Sequence, residues 1–193
     1  MSRSAFSAVV LAAGRSSRMG RDKALLAGSD GRPLWQRQRD VLQQAGAAEI
    51  FLSVRPDQPW VAEAAGFSAV VNDTVLRGGP LAGIAAALEK MAHAHLAVLA
   101  VDLPRMEASW FATLLAECGR GIGLAGHREN FHEPLAAIYP REILPLVREA
   151  LQRRELALQK LIGTGITRGL LRSREISAAE APMFENWNEP TRP

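Results

Sequence analysis

The stretch Val9–Lys23, V-V-L-A-A-G-R-S-S-R-M-G-R-D-K, decides how the rest of the chain is read. A short aliphatic run, Ala8 to Ala12, ends at Gly14, where a missing Cβ permits a tight turn and close approach of backbone N–H groups to a ligand. Ser16, Ser17 and Gly20 keep the following loop small and polar. Arg15, Arg18, Arg21 and Lys23 crowd positive charge into it, which suits a triphosphate better than a neutral ligand. The plainer alternative is a strand, a glycine turn and a solvated basic loop.

Two familiar phosphate loops are excluded by spacing. Gly14 and Gly20 are too far apart for G-x-x-x-x-G-K-[ST], Lys23 has no adjoining hydroxyl, and G-x-G-x-x-G is absent. The segment instead resembles the opening motif L-x-G-G-x-x-x-R-M-G-x-x-K of nucleotidyltransferases with a Rossmann-like fold, and in particular the molybdenum cofactor guanylyltransferase family. Leu11, Gly14, Arg18, Met19, Gly20 and Lys23 fit that motif. Ala13 departs from it, standing where the family usually has the first glycine of the pair, and Ala-Ala-Gly is common in the cytidylyltransferase relatives.

The chain of 193 residues suits one domain with a core that closes without staples. Its hydrophobic content of 48% and charged content of 22% are ordinary for a soluble globular protein. Cys118 is the single cysteine, so no internal disulfide forms and a reducing compartment is expected. The apolar run Ala8 to Ala13 is too short to span a membrane and carries no cleavage-site pattern, which points to the cytoplasm and to no membrane partner. A net charge of +3 helps to collect phosphorylated substrates. No basic helix, zinc knuckle or aromatic-basic interleaving marks a nucleic-acid binder.

Beyond the basic loop, a turn at 28–31 and Pro33 lead into a helical pattern from Leu34 that stops near Gly46. Ile50–Val54 reads as a strand, Pro56 and Pro59 as punctuation, Trp60–Ala65 as a short helix and Phe67–Val71 as a further strand. This alternation predicts an α/β fold with a mostly parallel sheet and right-handed crossovers. The glycine pair Gly78-Gly79 then opens a helix from Leu81 to Met91, with Leu81, Ile84, Leu88 and Met91 on one face. That pair reads either as a hinge and cap or as a place where N–H groups and carbonyls meet a ligand. Leu96–Val101 is a strand that delivers Asp102 to its carboxyl end, where open sheets bind ligands and a carboxylate can hold Mg²⁺ with waters and phosphate oxygens. Asp-x-Pro is also a common turn former, and the residues alone leave the choice open.

A helix is expected over Glu107–Ala116 with Cys118 near its end, a bend over Gly119–Gly123, a strand over Ile122–Ala125 and a loop over Gly126–Asn130. A strand ending at Tyr139 follows, with His127 and His132 read as loop histidines that lack a zinc spacing. Contact of either with an acceptor phosphate is the alternative reading. Ile143–Leu151 and Leu156–Ile162 read as helices, Leu170–Leu171 as a weak strand, and Arg153, Arg154 and Lys160 as a solvated face or a substrate-side patch.

The resemblance extends over nearly the whole chain, through Asn72–Gly83, V-D-L-P at 101–104 and F-x-N-x-N-x-P at 184–190. It implies a three-layer Rossmann-like nucleotidyltransferase, with a nucleotide-binding half over about 1–105 and an acceptor-binding half over about 106–193. It implies that Leu11, Ala12, Ala13, Gly14, Lys23, Asp73, Gly79 and Asp102 bind the nucleotide, and that Arg18, Lys23 and Asp102 act in catalysis. It also implies that Asp102 holds Mg²⁺ and that Asn186 and Asn188 face the acceptor. The reaction so implied is transfer of GMP from GTP to molybdopterin or its molybdenum-loaded form, releasing pyrophosphate, with transient contact to molybdoenzymes or cofactor-handling proteins. Two rivals stand beside it: a cytidylyltransferase using CTP, favoured by Ala13, and a non-catalytic GTP-binding adaptor, opposed by the presence of Arg18, Lys23 and Asp102.

Overall fold

The computed structural model describes residues 5–14, 22–28, 30–72 and 78–186. Seven strands form one sheet: β1 (Ser7–Leu11), β2 (Glu49–Val54), β3 (Ala69–Asn72), β4 (His95–Ala100), β5 (Gly123–Arg128), β6 (Phe131–Pro140) and β7 (Leu171–Glu175). Their order is β3-β2-β1-β4-β6-β5-β7. β3, β2, β1 and β4 pair in parallel, as do β5 and β7, while β6 runs antiparallel to both of its neighbours. The sheet is therefore mixed and mostly parallel.

The helices are α1 (Leu34–Gln44), α2 (Gly79–Lys90), α3 (Ala108–Glu117), α4 (Leu144–Gln152) and α5 (Leu158–Thr167). Alternation along the strands assigns them to the two faces. Ala8, Val10, Ile50, Leu52, Ala97, Leu99, Ala136 and Ile138 join one apolar cluster with Leu34 and Leu42 of α1 and Trp110, Phe111 and Leu114 of α3. Val9, Leu11, Phe51, Leu96, Val98, Ala137 and Tyr139 join the other, with Leu81, Ile84 and Leu88 of α2, Val147 of α4 and Ile162 of α5. Strands buried on both faces explain why β1 and β4 read as continuous apolar runs rather than as alternating ones.

The region after α3 differs from its sequence reading. Gly126–Asn130 is not a loop: β5 continues to Arg128, and a tight turn at Glu129-Asn130, with Glu129 at φ 52°, returns the chain as β6. Gly126 is needed as a strand residue, since a Cβ there would lie 2.8 Å from Trp110 Cζ2 and 2.9 Å from Ile176 Cδ1. Consequently His127 and His132 are not loop histidines but directly opposed strand partners, with ring centroids 6.0 Å apart. α5 also runs past Ile162 to Thr167, the weak strand becomes β7, and Trp60 lies in a 3-10 turn, Pro59–Glu63.

The topology sets the functional rim. Leu11 of β1 lies opposite Ala100 of β4, and Val101 N–H donates to Leu11 O at 3.1 Å, so the chain leaves both strands side by side at their carboxyl ends. The carboxyl end of β3, Asn72, pairs with Val54 at the same edge, ahead of the start of α2 at Gly79. β6 overhangs this edge: Phe131, His132 and Glu133 pair with β5, and β4 joins only at Leu99 opposite Ala136. Gly14, Gly79, Asp102 and the β5–β6 hairpin tip thus share one rim.

Candidate functional site

Asp102 follows β4 by two residues, as the parallel-sheet rule for ligand sites requires. Its carboxylate is partly open to solvent, with 29% of the side chain exposed, and Oδ2 lies 3.6 Å from Lys23 Nζ. Lys23 opens a 3-10 turn, Lys23–Leu25, capped by Asp22, whose Oδ1 accepts the Ala24 N–H at 3.1 Å. The two charged residues singled out far apart in sequence are therefore adjacent in space.

The loop beyond Asp102 is held from α1. Gln38, fully buried, donates from Nε2 to Leu103 O at 2.6 Å, and Arg37 Nε donates to Pro104 O at 2.5 Å. Leu103 O also accepts the Met106 N–H at 3.1 Å, and together these bonds satisfy the carbonyls of the turn and restrict how far Asp102 can drift. The chain's last described segment approaches the same loop: Phe184 meets Trp110 edge-on at 4.9 Å, and Arg105 Nη1 pairs with Glu185 Oε2 at 2.5 Å. Asn186, exposed, follows that ion pair directly. Arg18, Asp73 and Asn188 lie outside the described residues.

The turn after β1 is equally constrained. Ala12 N–H donates to Ser53 O at 2.8 Å. The carbonyls of Ala12, Ala13 and Gly14 are all taken by side chains from the segment after β2: Gln58 Nε2 reaches Ala12 O at 3.0 Å, and Arg55 Nη1 reaches Ala13 O at 2.5 Å and Gly14 O at 3.0 Å. Opposite this turn, α2 begins at Gly79, with φ 60°, and packs on β1 and β2 through Gly83, where a Cβ would overlap Ser53 Oγ. Arg55 and Gln58 were not singled out from the sequence. For Arg55 the available signal was like the one at Asp102, a charged side chain just past the carboxyl end of a buried parallel strand; Gln58 carried none.

The other titratable groups fall away from this centre or serve different ends. Burial pushes the Cys118 thiol up to about 12, which keeps it protonated and unreactive. Lys160 pairs with Glu155 at 2.8 Å and Arg153 with Glu149 at 2.9 Å, so both belong to exposed ion pairs of α4 and α5. At the hairpin tip, His132 Nε2 lies 2.9 Å from Ser173 Oγ, and Gln159 of α5 brackets the His132 backbone, accepting its N–H at 3.1 Å and donating to its carbonyl at 2.7 Å. Burial, then the neighbouring His127, lowers the His132 pKa, while burial raises that of Glu133.

A hard cation that arrives with phosphates and keeps most of its waters needs few protein ligands. Asp102, partly exposed after β4, is a carboxylate that could hold such a cation; among the described residues no group of three or more His, Cys, Asp or Glu side chains is placed to hold a metal. No described helix is long and apolar enough to cross a membrane.

Known proteins share this chain's sequence pattern and fold. Residues 8–169 match the MobA-like NTP transferase domain. A probable molybdenum cofactor guanylyltransferase of Opitutus terrae is 39% identical over 190 residues, 97% of this chain and 92% of that protein. Two solved structures share the fold. A nucleotidyl transferase from Methanothermobacter thermautotroptrophicus has a TM-score of 0.76 at 18% identity, covering 95% of this chain and 92% of its own. The molybdopterin-guanine dinucleotide biosynthesis protein A of Archaeoglobus fulgidus has a TM-score of 0.73 at 20% identity, covering 95% and 93%. The sequence match over most of the chain shows that the chain belongs to the MobA-like NTP transferase family, that of the molybdenum cofactor guanylyltransferases.

Proposed function

We infer that this protein transfers GMP from GTP to a molybdopterin-type acceptor, joining the acceptor's terminal phosphate to the α-phosphorus and releasing pyrophosphate. The observation that carries this reading is the Lys23–Asp102 pair, 3.6 Å apart on the rim where β1 and β4 end. The guanylyltransferase name of the Opitutus terrae relative supports the choice of nucleotide and acceptor.

The chemistry needs no covalent nucleophile, so the chain's task is positioning and charge. Backbone groups of Leu11–Gly14 and of the α2 start at Gly79 bind the nucleotide. Lys23 exchanges its carboxylate partner for phosphate oxygens, neutralising the triphosphate and the departing pyrophosphate. Asp102 would hold Mg²⁺, which would supply charge neutralisation for the phosphates. Arg18 adds a second cation to the triphosphate, Asp73 completes the nucleotide site, and Asn186 and Asn188 face the acceptor. A lone reduced cysteine and a GTP substrate suit the cytoplasm.

Incubation with each of the four nucleoside triphosphates, Mg²⁺ and molybdopterin, with identification of the dinucleotide formed, tests this reading. GTP should exceed CTP by at least about tenfold in kcat/KM, roughly 1.4 kcal/mol of discrimination. A CTP preference would make Ala13 the better guide and move the protein to the cytidylyl branch. Triphosphate binding without a product would leave the adaptor reading.

A further inference from the structure

We propose that Arg55 and Gln58 are positioning residues for the nucleotide, acting through the backbone of the Ala12–Gly14 turn without touching the ligand; this rests on the assignment of that turn to nucleotide binding.

Each peptide unit joins one residue's carbonyl to the next residue's N–H, and the two point in opposite directions. Gln58 on Ala12 O therefore fixes the direction of the Ala13 N–H, and Arg55 on Ala13 O fixes that of the Gly14 N–H. Neither N–H donates to a described residue. Both are turned away from the side chains that grip their carbonyls. A cation or amide on the carbonyl side also polarises the same peptide, so the N–H on the far side becomes a better donor to an anion. A glycine turn left to itself would sample many peptide orientations, and this clamp selects one.

The clamp is itself braced. Asp57 Oδ1 accepts from Arg55 Nε at 3.0 Å, and Gln58 Oε1 accepts the Arg55 backbone N–H at 2.7 Å, which sets the Gln58 amide with its NH₂ toward the turn. Gln58 is 5% exposed. The same Nε2 donates to Asp22 Oδ2 at 2.5 Å, and Trp60 Nε1 donates to that oxygen at 2.8 Å. Asp22 caps the turn that presents Lys23. One short segment after β2 thus ties the backbone at Ala12–Gly14 to the residue that places the lysine. Neither Arg55 nor Gln58 has any of its assigned bonds with Asp102 or with the hairpin tip, so acceptor handling should be independent of them.

The test is triphosphate binding to the full chain by calorimetry, with all four nucleotides on the wild type first and the tightest one carried to the variants Arg55→Ala, Arg55→Lys and Gln58→Leu. A core variant remote from the rim, Val147→Ala, serves as a control for general destabilisation. Arg55→Ala and Gln58→Leu should raise Kd by about tenfold or more, the scale of one or two lost charge-assisted or buried hydrogen bonds. Arg55→Lys should lie between, because an ammonium lacks the planar fork. Added ethylguanidinium should restore part of the affinity to Arg55→Ala and none to Val147→Ala, and KM for the acceptor should stay at its wild-type value. Affinity within about twofold of wild type in both Arg55→Ala and Gln58→Leu, or an equal loss in Val147→Ala, would overturn the proposal. A wild-type preference for CTP would overturn the guanylyl reading and leave the clamp to be judged on CTP. A wild type that binds no triphosphate would overturn both.

Discussion

Gly83→Ala would strike at the contact that sets α2 against the ends of β1 and β2. A Cβ at residue 83 would overlap Ser53 Oγ, lie 2.9 Å from Leu11 Cδ2 and reach 3.2 Å from Ser53 Cβ, so α2 or the ends of β1 and β2 must shift. Overpacking of this kind costs about 1–3 kcal/mol. Alanine's better helix propensity offsets about 0.5–1 kcal/mol of it, leaving a net loss near 1–2 kcal/mol. Ser53 Oγ is buried and finds no partner among the described residues, so Ser53→Ala alone should be neutral or stabilising by up to about 1 kcal/mol. In the double variant the overlap with Oγ disappears while the contact with Leu11 remains. The pair should therefore show a favourable coupling near 1 kcal/mol in urea unfolding followed by tryptophan fluorescence. Gly14→Ala is the contrasting variant: no described residue lies within 4 Å of its Cβ, so stability should hold and only ligand approach should suffer. Additive double-variant energies, or a Gly83→Ala protein as stable as wild type, would refute the argument from close approach.

Asp102→Asn should keep the fold, since the residue is partly exposed, and reduce Mg²⁺-supported transfer by at least about a hundredfold; wild-type turnover at limiting Mg²⁺ would exclude the role. Lys23→Ala should weaken triphosphate binding, and unchanged affinity together with unchanged rate would count against charge neutralisation by this lysine. Glu180 accepts from Arg174 Nη2 at 2.9 Å and from the Ser177 N–H at 2.9 Å, which hold its carboxyl down to about 2 against an ordinary 4.5. A depressed native pKa contributes stability that is present above the unfolded value and lost as pH falls through the native one. Glu180→Gln should therefore lower the melting temperature at pH 7 and converge with wild type toward pH 2, and an equal difference at both pH values would contradict the assignment.

The half of the molecule before α3 was legible because its local signals agree. Apolar runs bounded by Gly and Pro gave β1, β2 and β4, and the periodicity of Leu81, Ile84 and Leu88 gave α2 to within two residues. Asp102 and Gly14 could be placed on one rim because parallel strands send their carboxyl ends to the same edge. Gly126 was misleading, since a glycine that admits Trp110 and Ile176 against a strand looks in sequence like one that breaks it. Arg55 and Gln58 escaped notice because their partners are backbone carbonyls some forty residues away, and a carbonyl carries no mark in the sequence. The helix α5 was cut short at Gly163 for a related reason: propensity is a weak guide where packing on β6 and β7 decides the length.

The antiparallel strand β6 gives the rim two unlike sides. Had β6 followed the parallel rule, the connection from β5 would have needed a crossover element to bring the chain back, leaving the rim beside Asp102 bare. The hairpin instead turns at the rim itself, and β6 pairs with β5 before it reaches β4. That overhang raises His132 and Glu133, with exposed Phe131 at 56% accessibility, beyond the end of β4 and next to the loop that carries Asp102. Gln159 of α5 and Ser173 of β7 brace it from one side, while Trp110 and Ile176 pack under Gly126 on the other. The Gly14 side of the rim is made of backbone held by Arg55 and Gln58, the opposite side of side chains on a braced hairpin, and under the proposed function the first suits a phosphate chain that backbone N–H groups can read.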